Sequence, residues 1–371
     1  MQPFPAVEPI PLPAPVWLFK TLHNLTLSLH FVAVQLLVGG LALALLMSLA
    51  ARLRRDQALR ECSGLVAQRL PIVMAYVINL GIPPLLFSQV LYGRALYTSS
   101  ILIGFYWLGV IFLVMAAYFL LYRMAYRMEA GRTFEWLGLL ALLLVVFVAR
   151  IYSTNMTLML RPEAWVEMYR SDPYGLQLVG GDPTITPRWL YMMLSGLTVG
   201  GVATTLLGCQ YGVNPDMRAR FERWGLRGLV IGALVQLPAG PWVLRTQPGD
   251  VQTDVAASPF HKVAAWIWFI TLLVLIVLAV LRLLKSSPRI RVLPVALALA
   301  AYVNVAAMVI VRDGIRDVTL RLKGFDVWQR TVFTNWSVVI LFFILFVLGL
   351  IAMGWMISVV ARAKETEQPY G

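Results

Sequence analysis

The chain has 371 residues, of which 60% are hydrophobic and only 13% are charged. A soluble domain this apolar would aggregate, and the charges fall between long apolar runs, as expected when lipid solvates the fold. The net charge of +13 does not indicate a nucleic-acid-binding protein, because the basic residues form short clusters at the ends of those runs rather than one patch.

Nine apolar segments are predicted to cross the membrane as helices, because each holds about 20 residues and lipid forces the backbone to satisfy its own hydrogen bonds. The predicted spans are 27–50, 70–92, 99–122, 135–154, 189–210, 226–245, 262–284, 292–311 and 334–360. We therefore expect an all-α, polytopic transmembrane helical bundle at 23–360. A proline-rich segment at 1–22 precedes it without the features of a cleavable signal peptide, and a tail at 361–371 follows it.

Clusters of arginine and lysine follow the first, third, fifth and seventh spans, all on one side of the membrane. The positive-inside rule makes that side cytoplasmic, which predicts an N-terminus outside and a cytoplasmic C-terminus. The outer side then carries the loops at 155–188, 246–261 and 312–333. These loops mix acidic and basic residues and are the predicted docking surface for a partner protein.

All three histidines of the chain, His23, His30 and His261, are predicted to lie toward the outer half of the membrane. His23 and His30 are two helical turns apart, about 10 Å, on nearly the same face. Because neutral imidazole is a common axial ligand of haem iron, the three residues predict a haem pocket, with His30 and His261 as the candidate iron ligands. The alternative for His23 and His261 is an interfacial role, hydrogen-bonded to headgroups or loops.

Two arginines, Arg150 and Arg312, are predicted to lie where the fourth and eighth spans reach the outer face. They either extend to the interface as ordinary anchors or bind haem propionates or the head of an outer-leaflet quinone. The segment 311–317 is dense in charge and is predicted to form local ion pairs. No acidic residue falls in the interior of a predicted span, which argues against proton pumping and most coupled transport. Neither cysteine lies in a covalent haem motif.

Two segments carry a resemblance to a known family. Residues 29–47, LHFVAVQLLVGGLALALLM, resemble the first helix of cytochrome bd quinol oxidase subunit I, and the resemblance places that family's haem-ligating histidine on His30. Residues 79–94, NLGIPPLLFSQVLYGR, are similar to the family's glycine-bearing second helix. Nine spans with the N-terminus outside are also that subunit's topology. The resemblance covers about the first 210 residues, and later segments only through topology.

The chain also departs from this family at positions that the resemblance marks as functional. Tyr191 falls where the family has a low-spin haem histidine, and the segment 260–266 lacks the partner methionine and an arginine for the quinol site. The segment 110–115 lacks the family's acidic residue. We therefore expect a diverged relative that is not an oxygen-reducing terminal oxidase.

The resemblance implies a membrane subunit of a prokaryotic respiratory complex. Such a subunit would exchange electrons between membrane quinone and an extracytoplasmic c-type cytochrome partner, through at most one b-type haem. It would work as a quinol dehydrogenase subunit, in a hetero-oligomer with haem-containing extracytoplasmic subunits. The alternative is a cofactor-free membrane anchor or scaffold for a cytochrome or oxidoreductase complex, and a transporter is the least favoured reading.

Overall fold

The computed structural model describes residues 10–178, 180–209, 214–284 and 293–362. This part of the chain forms eleven α-helices and two short 3₁₀ turns, at Pro162–Ala164 and Val327–Gln329. The helices are α1 (Val16–Arg54), α2 (Gln57–Leu102), α3 (Gly104–Glu129), α4 (Glu135–Leu158), α5 (Trp165–Ser171), α6 (Ile185–Leu207), α7 (Pro215–Arg245), α8 (Gly249–Ala257), α9 (Pro259–Leu284), α10 (Leu293–Leu322) and α11 (Trp336–Arg362).

Nine of the described helices, all except α5 and α8, are long and apolar enough to cross a membrane. The predicted all-α bundle with nine spans is thereby confirmed. The orientation of the termini stays a prediction, as do the domain boundaries, and most of the tail at 361–371 lies outside the described residues. α11 buries none of its most apolar stretch against the rest of the chain, which is typical of a helix surrounded by lipid.

Local sequence signals set several helix ends. Arg55 adopts a left-handed conformation that ends α1, and the Asp56 carboxylate accepts a hydrogen bond from the Leu59 backbone N–H (3.0 Å) to cap α2. Asn214 caps α7 in the same way by accepting from the Met217 N–H at 2.8 Å. These caps satisfy backbone donors that the first turn of a helix leaves free.

α1 is the central helix and packs against α2, α6 and α10. Its contact with α6 is made by glycines: a Cβ atom on Gly39 would overlap the Gly196 carbonyl, and Gly200 lies against the same turn of α1. α6 and α7 meet through Gly201 and Gly225 in the same manner. Small residues let helix backbones approach closely, which is how helices commonly associate in lipid.

Several helices extend well beyond their predicted spans, and the longer α10 corrects one expectation. The segment 312–333 is not simply an outer loop, because α10 continues to Leu322. α10 also carries Asp313 and Asp317, which lie beyond the predicted span 292–311, so the expectation that no acidic side chain lies in the interior of a span stays a prediction. α1 likewise begins at Val16, eleven residues before the predicted start, which adds Lys20 and His23 to the helix.

Candidate functional site

A charged network joins α1, α2 and α10 at the end of the bundle where α1 begins. It consists of Lys20, Tyr92, Asp313, Arg316 and Asp317. Lys20 is only 5% exposed and forms ion pairs with Asp313 and with Asp317, the latter at 2.6 Å. The Tyr92 hydroxyl accepts a hydrogen bond from Lys20 (2.9 Å) and donates one to Asp317 (2.6 Å).

Arg316 completes this network. Its guanidinium forms an ion pair with Asp313 one helical turn away, which confirms the local pairing predicted for 311–317, and lies 4.2 Å from the centroid of the Tyr92 ring. The network thus contains two cations and two carboxylates, and every charge has an opposite partner. Pairing of this kind is what makes buried charges tolerable in an apolar bundle.

His23 lies beside this network with both ring nitrogens engaged. Its Nδ1 is 3.1 Å from the Pro84 carbonyl oxygen, and because a carbonyl can only accept, Nδ1 carries the proton. Its Nε2 is 3.1 Å from an Arg316 nitrogen, which can only donate, so Nε2 is the acceptor. The ring is therefore neutral, and its one lone pair is already used.

The Nδ1 atom of His30 also bonds to a backbone carbonyl, but its Nε2 atom has no described hydrogen-bond partner. Its Nδ1 lies 3.1 Å from the Val77 carbonyl oxygen of α2, which again fixes the proton on Nδ1. The ring rests on Gly81, where an added Cβ would come within 2.9 Å of it. The lone pair of Nε2 has no partner among the described residues. A backbone bond that fixes one nitrogen and leaves the other basic is typical of histidines that bind metals.

His261 packs against a different helix. It lies near the start of α9, and its ring rests on Gly314 of α10, so tightly that a Cβ atom there would overlap the imidazole. Its Nδ1 is buried without a hydrogen-bond partner. His30 thus packs against α2, His23 lies between α2 and α10, and His261 packs against α10. Within the described ranges, no three His, Cys, Asp or Glu side chains form a metal-binding group.

A cavity of about 270 Å³ lies between α4, α6, α7, α9 and α10. Its lining is mostly apolar and includes Met156, Met192 and Met308. Three arginines, Arg188, Arg312 and Arg316, also line it, whereas no described histidine or carboxylate does. An apolar cavity with a few polar groups is the usual form of a small-molecule site.

Tyr191, which occupies the position of a family haem ligand in the resemblance, lines this cavity. Its hydroxyl donates to the Gln236 side-chain oxygen at 3.1 Å and accepts from the Trp268 indole N–H at 2.7 Å. The hydroxyl is thus held in a hydrogen-bonded chain between α6, α7 and α9. Tyr191 and Trp268 give one wall of the cavity a fixed polar edge.

The two arginines predicted to bind a cofactor have different surroundings. Arg312 lines the cavity and lies 5.5 Å from the centroid of the Phe31 ring of α1. Arg150 does not line it: its guanidinium donates to the Thr186 hydroxyl at 3.3 Å and lies 5.6 Å from the Trp189 ring centroid. Sequence reasoning missed Lys20, Tyr92 and Arg188. The available signal was the spacing of Lys20 and His23, three residues apart and hence on one face of α1.

No protein-family model and no curated protein matches the chain. Among solved structures, the fold is similar to a chain of the bd oxidase from Geobacillus thermodenitrificans, with a TM-score of 0.68 and 12% sequence identity. The alignment covers 96% of this chain and 100% of that one. The expectation of a diverged bd-oxidase-like chain is confirmed at the level of the fold, and the chain is a multi-pass helical protein of that architecture.

Proposed function

We propose that this chain is a membrane subunit of a prokaryotic respiratory complex in the inner membrane. It exchanges electrons between membrane quinone and an extracytoplasmic c-type cytochrome subunit, through one b-type haem bound at His30. The bd-oxidase-like fold supports the respiratory setting. The observation that carries the proposal is the His30 imidazole, whose Nδ1 is bonded to the Val77 carbonyl while its Nε2 lone pair has no described partner.

Of the three histidines, His30 has the ring nitrogen best suited to bind a haem iron. His23 could bind iron only by giving up its hydrogen bond with Arg316. His261 as a second axial ligand stays a prediction, and its ring packs on Gly314 rather than on α1 or α2. A haem at His30 would supply one-electron transfer. The protein's part is to hold the imidazole in one tautomer and one orientation through Val77 and Gly81.

The position of His30 also suits exchange with quinone. The residue lies within an apolar transmembrane helix and is partly exposed, so a group bound there can be approached from the lipid phase, where quinone dissolves. The cytochrome partner would dock on the loops at 155–188 and 246–261, which contain the short helices α5 and α8. The Arg161–Asp182 ion pair, at 2.6 Å, fixes part of the first loop.

The test is a dithionite-reduced minus oxidised spectrum, with a pyridine haemochrome assay, on the full chain purified in mild detergent. We expect a stoichiometric b-type signal that is lost in His30→Ala. His23→Ala is the matched control, because His23 lies on the same face of α1 but has no free lone pair, and it should keep the signal. A featureless spectrum from folded wild-type protein would overturn the proposal.

Two observations favour the alternative, a cofactor-free membrane anchor. His23 is satisfied by the fold, and Tyr191 replaces the family ligand with a hydroxyl that is already hydrogen-bonded on both sides. An anchor would assemble with its partner and support full quinol-dependent activity of the complex when His30 is replaced by alanine. Activity measured in membranes that carry this variant therefore separates the two functions.

A further inference from the structure

The arginines that line the cavity differ in how their charges are neutralised. Arg316 belongs to the charged network and is paired with Asp313. Arg188 donates to the Thr157 hydroxyl at 3.1 Å, and the Arg312 guanidinium lies 5.5 Å from the centroid of the Phe31 ring. No described residue forms an ion pair with Arg188 or with Arg312. The network cannot compensate them, because its two carboxylates are already balanced by Lys20 and Arg316.

The surroundings of these two guanidiniums make the missing negative charge costly. Both residues are partly buried and line a cavity whose other walls are mostly apolar, and their like charges act on each other. A guanidinium that is removed from water without a counter-charge destabilises the fold by several times the energy of an ordinary hydrogen bond. A bound anion would remove that cost, and guanidinium groups have the geometry to hold carboxylate or phosphate.

We infer that this cavity binds an amphiphile whose carboxylate or phosphate group contacts Arg188 and Arg312 and whose hydrocarbon chain lies along the apolar lining. α4, α6 and α10 supply Met156, Met192 and Met308 to this lining, and the flexible thioethers of methionine adapt to chains of varied shape. The chemistry is shared by a free fatty acid and by an anionic phospholipid. This site is separate from His30 and does not require a haem.

The experiment uses the quenching of tryptophan fluorescence by brominated lipids, because Trp268 lines the cavity. The full chain in mild detergent is titrated with dibromostearate, with phosphatidic acid carrying dibromostearoyl chains, and with dibromostearyl alcohol. The first two probes separate a carboxylate from a phosphate ligand, and the alcohol is the neutral match. We expect saturable quenching by at least one anionic probe, with an affinity at least tenfold above that of the alcohol, and loss of this component in Trp268→Phe.

Charge-removing variants test the assignment to the two arginines. Arg188→Gln combined with Arg312→Gln should weaken binding of the anionic probe by about tenfold for each lost charge-assisted contact. Arg245→Gln is the matched control, because Arg245 is exposed at the end of α7 and does not line the cavity. It should bind as the wild type does. Arg312→Lys, which keeps the charge, should retain most of the affinity.

Equal binding of the anionic probes and the alcohol to the wild type would overturn the inference, and this comparison needs no variant to fold. Unchanged binding in a folded double variant would also overturn it. The readout is independent of any haem, so it can succeed when the spectrum of the purified chain is featureless, and it can fail when that spectrum is positive.

Discussion

Arg312 and Arg316 lie one turn apart on α10, yet they belong to regions with opposite electrostatic balance. Arg316 is enclosed in the charged network, where Asp313 and Asp317 neutralise it and Lys20. Arg312 faces the cavity, where no described carboxylate pairs with it. In the first region the cost of removing charge from water is offset within the fold. At the cavity, the group that offsets this cost for Arg312 must come from outside the chain.

This contrast distinguishes charged residues that stabilise a membrane bundle from charged residues that bind a ligand. Intramembrane ionisable residues are functional candidates by default, but a closed set of two cations and two carboxylates is self-sufficient. Its role is then to fix α1, α2 and α10 relative to one another. The cavity, in contrast, has no described carboxylate to pair with Arg188 and Arg312, so it is the candidate site for a ligand.

The largest expected effect is the loss of a charge from the network. Asp313→Asn leaves Lys20 and Arg316 sharing one carboxylate in an apolar surround, so we expect the free energy of unfolding in detergent to fall by about 3–5 kcal/mol. Asp326→Asn is the control, because Asp326 only caps a short turn by accepting from the Trp328 N–H, and asparagine caps equally well. If Asp313→Asn lowered the free energy of unfolding by less than about 1 kcal/mol, the charged network would not differ from the cavity in how strongly its charges depend on pairing.

Both regions depend on α1 staying close to α6. Gly39→Ala places a methyl group against the Gly196 carbonyl, and the forced separation should cost up to about 3 kcal/mol of unfolding free energy. Gly109→Ala is the control: no atom of the described residues lies within 4 Å of a Cβ at that position on α3, so the substitution should be neutral or stabilise by up to about 1 kcal/mol. Similar stability changes in the two variants would mean that the helices can move apart without cost.

His23 and His30 provide a comparison on a single helix. His23→Leu leaves the Arg316 nitrogen and the Pro84 carbonyl without their buried partner, so we expect a loss of about 1–3 kcal/mol in unfolding free energy. His30→Leu should cost less, because His30 is partly exposed and has one described hydrogen bond. Unfolding curves of the two variants in the same detergent provide the measurement. If His30→Leu were the less stable variant, the conclusion that His23 stabilises the fold would be wrong.

The smallest effect is expected at the opposite end of the bundle, where ion pairs are partly exposed. Arg220 holds the pKa of Asp56 below its ordinary value through a hydrogen bond at 3.0 Å. A lowered carboxyl pKa adds stability above the ordinary value, near pH 4, and that stability is lost as the pH falls through the lowered value. Asp56→Asn keeps the cap of α2 and should cost less than about 1 kcal/mol at neutral pH.

The difference between wild type and Asp56→Asn should shrink toward zero as the pH falls through the lowered pKa of Asp56, because the wild-type carboxylate then takes up its proton. Unfolding free energies measured across this range provide the check. A difference that stayed constant with pH would mean that the Arg220 contact does not depend on the charge of Asp56.

Sequence alone determined the number and type of the spans, because partition of a helix into lipid depends on about 20 consecutive side chains and hardly on distant ones. It also identified His23, His30, His261 and Arg312 as residues of interest. It misjudged where α10 ends, since charged residues normally mark the membrane surface. The rule failed here because Lys20, nearly 300 residues away, supplies the counter-charge for Asp317.

Only the tertiary structure decided what these residues can do. The proton position on His23 follows from a carbonyl on α2 and a guanidinium on α10, and the cavity takes its lining from five helices. Neither can be read from local pattern, because hydrogen bonding and charge pairing act over a few ångströms in space without regard to distance along the chain. Hydrophobic length is a local property of the sequence, whereas electrostatic compensation is a property of the assembled bundle.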